Sequence, residues 1–457
     1  MAKKAKTQYV CRECGADSNK WLGQCSDCSA WNSYDELAVA TASKTAVPVG
    51  YAGVERGVSS VKRLTEVSAV QVGRTNTGIG ELDRVLGGGL VAGSVILVGG
   101  EPGIGKSTLL LQTMAALVER ELCLYVTGEE SLQQIAERAG RMGLDSPDLL
   151  LMAETHVEQL IAAAKIHKPR VMVVDSIQTM FSDSIGAAPG AVSQVREAAA
   201  QLVRFAKQSG TTVMLVGHVT KEGTIAGPRV LEHMVDTVLY FESEAGSRFR
   251  MIRSVKNRFG AANEIGVFAM VDSGLKEVKN PSAIFLSKHE APVAGSVIMV
   301  TREGTRPLLA EVQALVDESG GYGKRVSIGL EQNRLGVLFA ALHRHAGVSL
   351  AGQDVFVNVV GGIRVSEPAA DLAVVLASLS SLRDQPFPAD TVVFGELGLA
   401  GEVRPVPHGE ERLREAAKHG FKRAIVPMAN KPRDDIGIKV IGVSRLQQAI
   451  DAYRNND

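Results

Sequence analysis

Residues 95–111 read VILVGGEPGIGKSTLLL, and this stretch restricts the possible folds more than any other. Val95, Ile96, Leu97 and Val98 make the short, β-branched apolar run expected of a buried strand in a parallel sheet. Residues 100–107 then fit G-x-x-x-x-G-K-[ST], with a helical pattern opening near Lys106. Strand, glycine loop and helix in that order predict a P-loop. Its glycines let successive backbone N–H groups turn inward onto a phosphate, and the helix adds the positive end of its dipole. The predicted ATP contacts are Gly100, Glu101, Pro102, Gly103, Ile104, Gly105, Lys106, Ser107 and Thr108. Lys106 would reach the β and γ phosphates, and the Ser107 hydroxyl would hold Mg²⁺.

Later segments supply what a nucleotide site still needs. A second apolar strand ends in Thr127, Gly128, Glu129, Glu130 and Ser131, and ligands of open α/β sheets gather at that edge. Glu129 is the favoured base for the attacking water, while Glu130 can instead cap the following helix. RVMVVDS places Asp175 at the end of a third strand, a Walker B pattern whose carboxylate would hold Mg²⁺. SDSIGAAPG, at 182–190, is small and nearly uncharged and reads as flexible. After a helix over roughly 191–208, a fourth strand delivers His218 to the same edge, as a γ-phosphate sensor or as a satisfied polar core group.

The 457 residues, 45% hydrophobic and 22% charged, leave room for two or three domains with real cores. Fifty basic and fifty acidic residues cancel, so any nucleic-acid contact must come from local patches. No apolar leader follows the N-terminal lysines and no run approaches a membrane span, so the expectation is a cytoplasmic protein without membrane contact. Cys11-x-x-Cys14 and Cys25-x-x-Cys28 have the spacing with which four thiolates surround one Zn²⁺. A rubredoxin-type iron site and a pair of disulfides are the alternatives. Trp21 and Trp31 are expected to cover this module; with Tyr9, Lys20 and Arg12 they would suit single-stranded nucleic acid, or form an ordinary solvated surface. Cys123, alone in LCLYV, reads as a buried core thiol.

A fifth strand runs into Lys256, Asn257, Arg258, Phe259 and Gly260. The four-cysteine ribbon, GEPGIGKST, TGEES, VMVVDS and KNRFG stand in the order of the RadA (Sms) family of bacterial DNA repair proteins, which the chain resembles from about Cys11 to its C-terminus. The resemblance implies a RecA-like ATPase core, similar to DnaB-type helicases, with ATP bound between neighbouring subunits. It implies DNA contacts on 181–190 and 221–229, where Lys221 and Arg229 are the available cations, and it implies that Lys256 and Arg258 act on the neighbour's ATP.

From about residue 285 the chain resembles the proteolytic domain of Lon. In that register Ala369 stands at the serine position and Glu410 at the lysine position, so the dyad is missing and peptide hydrolysis is not expected. The expected fold is therefore α/β: a zinc ribbon (1–35), a linker (36–69), a RecA-like ATPase domain with a mainly parallel sheet (70–280) and a Lon-like scaffold (285–457). The function implied by resemblance is a DNA-dependent ATPase and motor, binding ATP, Mg²⁺ and Zn²⁺. It would process single-stranded and branched DNA in recombination with RecA as a hexameric ring. A DNA-independent RecA-type signalling switch and a Lon-like protease are the competing readings.

Overall fold

The computed structural model describes residues 6–11, 17–18, 20–39, 73–144, 146–218, 229–243, 246–287, 291–319, 321 and 323–454. The chain forms two compact units, 1–278 and 279–457. At the start of the first, β1 (Lys6–Cys11) pairs antiparallel with β2 (Asp17–Ser18) and β3 (Tyr34–Val39). β3 runs past the expected end of the ribbon at 35, because its pairing with β1 continues to Lys6 opposite Val39. The rest of the expected linker lies outside the described residues.

The ATPase region opens with β4 (Arg74–Thr75), α1 (Gly80–Leu86) and β5 (Leu90–Val91). It continues through β6 (Val95–Gly99), α2 (Lys106–Leu117), β7 (Cys123–Thr127), α3 (Leu132–Arg141), β8 (Leu150–Ala153) and α4 (Val157–His167). β9 (Val171–Asp175), α5 (Val192–Ser209), β10 (Thr212–Val216) and α6 (Arg229–Met234) follow. The last strands are β11 (Thr237–Glu242), β12 (Phe249–Asn257), β13 (Ile265–Val271) and β14 (Gly274–Glu277).

One sheet of order β14-β13-β12-β11-β6-β10-β9-β7-β8 unites nine of these strands, those from β11 to β8 being parallel and the other three antiparallel. Every residue of β6, β7, β9 and β10 is buried, as continuous apolar strands require when helices cover both sheet faces. Alternation divides β6 between two cores. Ile96 and Val98 pack with α1 and α2, whereas Val95 and Leu97 pack with α4 and α5. Cys123 is buried in the first core, where burial pushes its thiol up to about 12.

Residues 182–187 are joined to the neighbouring helix through one side chain. Gln194, on α5 and 2% exposed, donates to the carbonyls of Ser182, Ile185 and Ala187 and accepts from the Ser182 amide. A buried amide side chain must satisfy its own groups, and this segment supplies the partners.

The second unit contains β15 (Ser296–Glu303), β16 (Arg306–Glu318), β17 (Arg325–Ile328), α7 (Gln332–Ala346), β18 (Gln353–Val359) and α8 (Asp371–Leu382). It ends with β19 (Thr391–Val393), β20 (Glu396–Leu397), β21 (Val403–Arg404), α9 (Gly409–Lys418), β22 (Arg423–Pro427), β23 (Lys439–Val443) and α10 (Leu446–Arg454). Its main sheet has the order β17-β18-β16-β15-β19-β22-β23. α8 is buried along most of its length, which explains its unbroken apolar sequence. Ala369 is buried in the turn before α8, while the Glu410 carboxylate accepts a hydrogen bond from Arg414 at 2.5 Å. Nearby, the buried Arg412 donates to Glu367 through both terminal nitrogens, at 2.8 and 2.6 Å, and to the Val300 carbonyl at 2.7 Å. Among the described residues, no helix is long and apolar enough to cross a membrane.

Candidate nucleotide and metal sites

The P-loop turns between β6 and α2 on left-handed glycines, Gly103 at φ 75° and Gly105 at φ 114°. Gly105 requires glycine for its backbone conformation, and it lies close to Met270 of β13 and Leu275 of β14. Arg250, on β12, supports the loop from outside by donating to the Ile104 carbonyl at 3.1 Å.

Lys106 is 4% exposed. Its ammonium donates to the Gly100 and Glu101 carbonyls at 2.7 and 2.9 Å and lies 3.3 Å from His218 Nδ1. Burial lowers its pKa to about 8, against the opposing pull of the Asp175 and Glu129 carboxylates. An ammonium has only donors, so His218 Nδ1 accepts and Nε2 carries the proton. Nε2 therefore donates to Glu129 Oε1, 3.1 Å away. The same carboxylate accepts from the Ser176 hydroxyl. The His218 hydrogen bond, with lesser help from Ser176 and Lys106, holds Glu129 below its ordinary pKa despite partial burial.

Asp175 ends β9 directly beside Thr127, the last residue of β7. Its Oδ2 accepts from the Tyr125 hydroxyl at 2.5 Å. Burial and then the Asp175 charge push the Tyr125 phenol well above its usual value, so it remains a donor at neutral pH. Lys106, Glu129 and His218 thus meet in one cluster, and Asp175 stands at the same sheet edge. Ser176, Tyr125 and Arg250 were not picked out from sequence; Ser176, next to the Walker B aspartate, carried the nearest available signal.

Glu130 faces elsewhere. It pairs with Arg138 on α3, and its amide donates to Thr127 Oγ1 at 3.0 Å. Nor does it cap that helix: Ser131 accepts from the Gln134 amide, and Gln134 accepts in return from the Ser131 amide.

KNRFG lies at the other end of the strands. Asn257 is opposite Thr237, which in turn is opposite Ile96, so the motif sits beside the start of β6 while the P-loop follows its end. Five residues of β6, roughly 16 Å of strand, separate them. Lys256 turns onto the end of α6, donating to the Glu232 and Val235 carbonyls at 2.5 and 2.8 Å. The Arg258 guanidinium is 60% exposed and lies 3.8 Å from Asp236. Asn257 accepts from the Phe259 amide, and Gly260 passes so close to Gly87 that neither tolerates a side chain. Arg229 opens α6, and Lys221 lies outside the described residues.

In the ribbon, the sulfurs of Cys11, Cys25 and Cys28 all lie within 4.8 Å of one another. Cys11 Sγ and Cys28 Sγ are 3.7 Å apart, against about 3.8 Å for the edge of a tetrahedron with zinc–sulfur bonds of about 2.3 Å. This donor set fits Zn²⁺; Cys14 lies outside the described residues. The aromatic cover of the cysteines differs from the one expected. Tyr34 and Tyr9 pack on the cysteines, whereas Trp21 and Trp31 are 53% and 72% exposed.

A phosphate-binding loop on a largely parallel sheet, followed by two carboxylate-tipped strands, defines a P-loop ATPase that uses ATP and Mg²⁺. In agreement, residues 61–224 match the AAA domain family, residues 9–36 the rubredoxin metal binding domain and residues 332–430 subunit ChlI of Mg-chelatase. The chain is 60% identical to DNA repair protein RadA of Pseudomonas aeruginosa over 98% of its own length and 99% of the relative's. It is 55% identical to that of Escherichia coli, covering 99% of both chains, and 47% identical to that of Bacillus subtilis, covering 98% of both. The chain belongs to the RadA family of DNA repair proteins.

Proposed function

We propose that this protein is a DNA-dependent ATPase that moves along single-stranded DNA and remodels branched recombination intermediates, working with RecA as a hexameric ring. The observation that carries the reading is the Glu129 carboxylate, held by His218 and Ser176 beside Asp175, with the same histidine bonded to Lys106. A carboxylate kept ionised in this way is suited to orienting the attacking water, with proton transfer completed late. ATP entering the loop would draw Lys106 from the Gly100 and Glu101 carbonyls to the phosphates. His218 would then report that movement to Glu129.

Ser107 and Asp175 would hold Mg²⁺, which would supply charge neutralisation on the phosphates. Arg258, exposed and a strand's length from its own P-loop, would serve the ATP of an adjacent subunit. Lys256 would hold the finger in register with α6 and the preceding segment, where Lys221 and Arg229 would meet DNA phosphates. The ribbon thiolates would bind Zn²⁺, and the second unit, with Ala369 and Glu410 at the dyad positions, would serve as a scaffold for the ring. The DNA repair relatives support this reading.

The test is ATP turnover with and without single-stranded DNA, with Lys106→Ala as the inactive control. DNA is expected to stimulate turnover. Wild-type turnover indifferent to every DNA supplied would replace the motor with an oligomeric switch.

A further inference from the structure

The ribbon leaves two large aromatic rings in solvent, although burying a side chain of that size is strongly favourable. Trp21 and Trp31 both lie beside Gly23. A methyl group placed on Gly23 would lie 4.0 Å from Cζ3 of Trp21 and 3.9 Å from Cζ3 of Trp31. Carbon atoms in contact sit about 3.5–4.0 Å apart, so one thin ring system laid over Gly23 would touch both indoles. The backbone joins the two segments. The Asn32 amide donates to the Gly23 carbonyl at 2.8 Å, Gln24 and Trp31 form a β-bridge, and Cys25, two residues after Gly23, is buried. Gly23 itself is partly accessible, and Lys20 is exposed next to Trp21.

We infer that Trp21, Gly23 and Trp31 form a stacking site for an unpaired nucleobase of single-stranded DNA, with Lys20 facing the adjoining phosphate. The observations favour a base over a protein side chain for three reasons. The residue next to both tryptophans is a glycine with nothing to form a specificity pocket, the two groups beside it are exposed indoles, on which any base can stack, and Lys20 next to Trp21 is an exposed cation. Paired bases present no free face, so duplex DNA is excluded from the slot. The inference extends the DNA reading above to a second site, and its test does not pass through ATP turnover.

The chain has two tryptophans, and they are these two, so emission excited selectively from indole, past the seven tyrosines, reports on this site alone. Full-length protein without nucleotide is titrated with oligothymidylate and with duplex of equal length, while anisotropy of labelled DNA follows binding. The single strand should quench emission saturably, the duplex should not, and Lys106→Ala should quench like wild type. Trp21→Ala and Trp31→Ala should each weaken oligothymidylate binding on the order of tenfold, with Trp31→Phe retaining most of it. Bound zinc, measured in each variant, checks that the ribbon is intact. Unchanged emission while the oligonucleotide binds, equal quenching by duplex, or zinc-replete alanine variants of undiminished affinity would each overturn the inference. Loss of DNA-stimulated turnover with quenching intact would count against the motor and leave this site standing.

Discussion

Glu129 and Glu130 are neighbours of the same charge, yet their surroundings predict opposite consequences for the same change. Glu129→Gln keeps an oxygen to accept from Ser176 and His218 but removes the charge proposed to orient and deprotonate water. General-base contributions of about 10²–10⁴ in rate correspond to about 2.7–5.4 kcal/mol on the barrier, and kcat should fall by that factor. ATP affinity should change little, because the phosphate contacts belong to the P-loop. Glu130→Gln loses a partly exposed ion pair with Arg138, whose members are 34% and 20% exposed. Such a pair contributes about 0–1 kcal/mol to stability, so kcat should stay within about fivefold of wild type. Steady-state hydrolysis at saturating ATP, with ATP affinity measured separately by titration, distinguishes the two. The reasoning is refuted if Glu129→Gln retains more than a tenth of wild-type kcat, or if Glu130→Gln is the variant that loses it.

Two further outcomes follow from charges in unusual places. Lys106 titrates near 8 in the free site, and phosphate binding favours its charged form, so ATP affinity should be level below pH 8 and weaken above it, by up to about tenfold per pH unit. Affinity independent of pH between 7 and about 9.5 in binding titrations would contradict that assignment. Arg412→Met would strand the Glu367 carboxylate, with the Thr301 hydroxyl and Arg302 amide as its remaining partners, costing the second unit about 3 kcal/mol and lowering its melting temperature by about 6–12 °C. Adding Glu367→Leu should recover much of the loss, and a single variant melting like wild type would show the pair to be dispensable.

The parallel strands were plain in the sequence because burial on both faces leaves no polar alternation to interrupt them, as in VILVG, VMVVD and TVMLV. The loop lysine and the strand-end carboxylates were legible for a related reason: each follows directly from where such a strand stops. What lay beyond a strand end was not. Past Thr127 the two-residue period no longer applies, and only the turn closed by Thr127 Oγ1 and the pairing with Arg138 separate Glu130 from Glu129. Lys256 gave no sign that it would grip α6, because its partners are backbone carbonyls that no residue pattern announces. Tyr125 looked like one more core residue of LCLYV, its hydroxyl aimed at Asp175 only once β7 and β9 lie side by side. Which aromatic residues cover the thiolates was not legible, because spacing does not separate Tyr34 and Tyr9, which pack on the cysteines, from the tryptophans, which stay exposed.

If Arg258 serves a neighbour's ATP as proposed, the placement of the P-loop and KNRFG at opposite ends of the same strands gives each subunit two unlike faces, one bearing the P-loop and the other the Arg258 guanidinium. Two copies related by a twofold axis would bring like faces together and complete neither pocket. Only head-to-tail stacking pairs the unlike faces, and such a contact has no built-in end, since every addition exposes the face it has just used. Whether the series closes or runs on as a helix then depends on the rotation between successive copies. In such an assembly subunit number would be set by an angle rather than by any residue of the ATP site, and a change at the contact that tilted it by a few degrees would alter the assembly while leaving each catalytic pocket chemically intact.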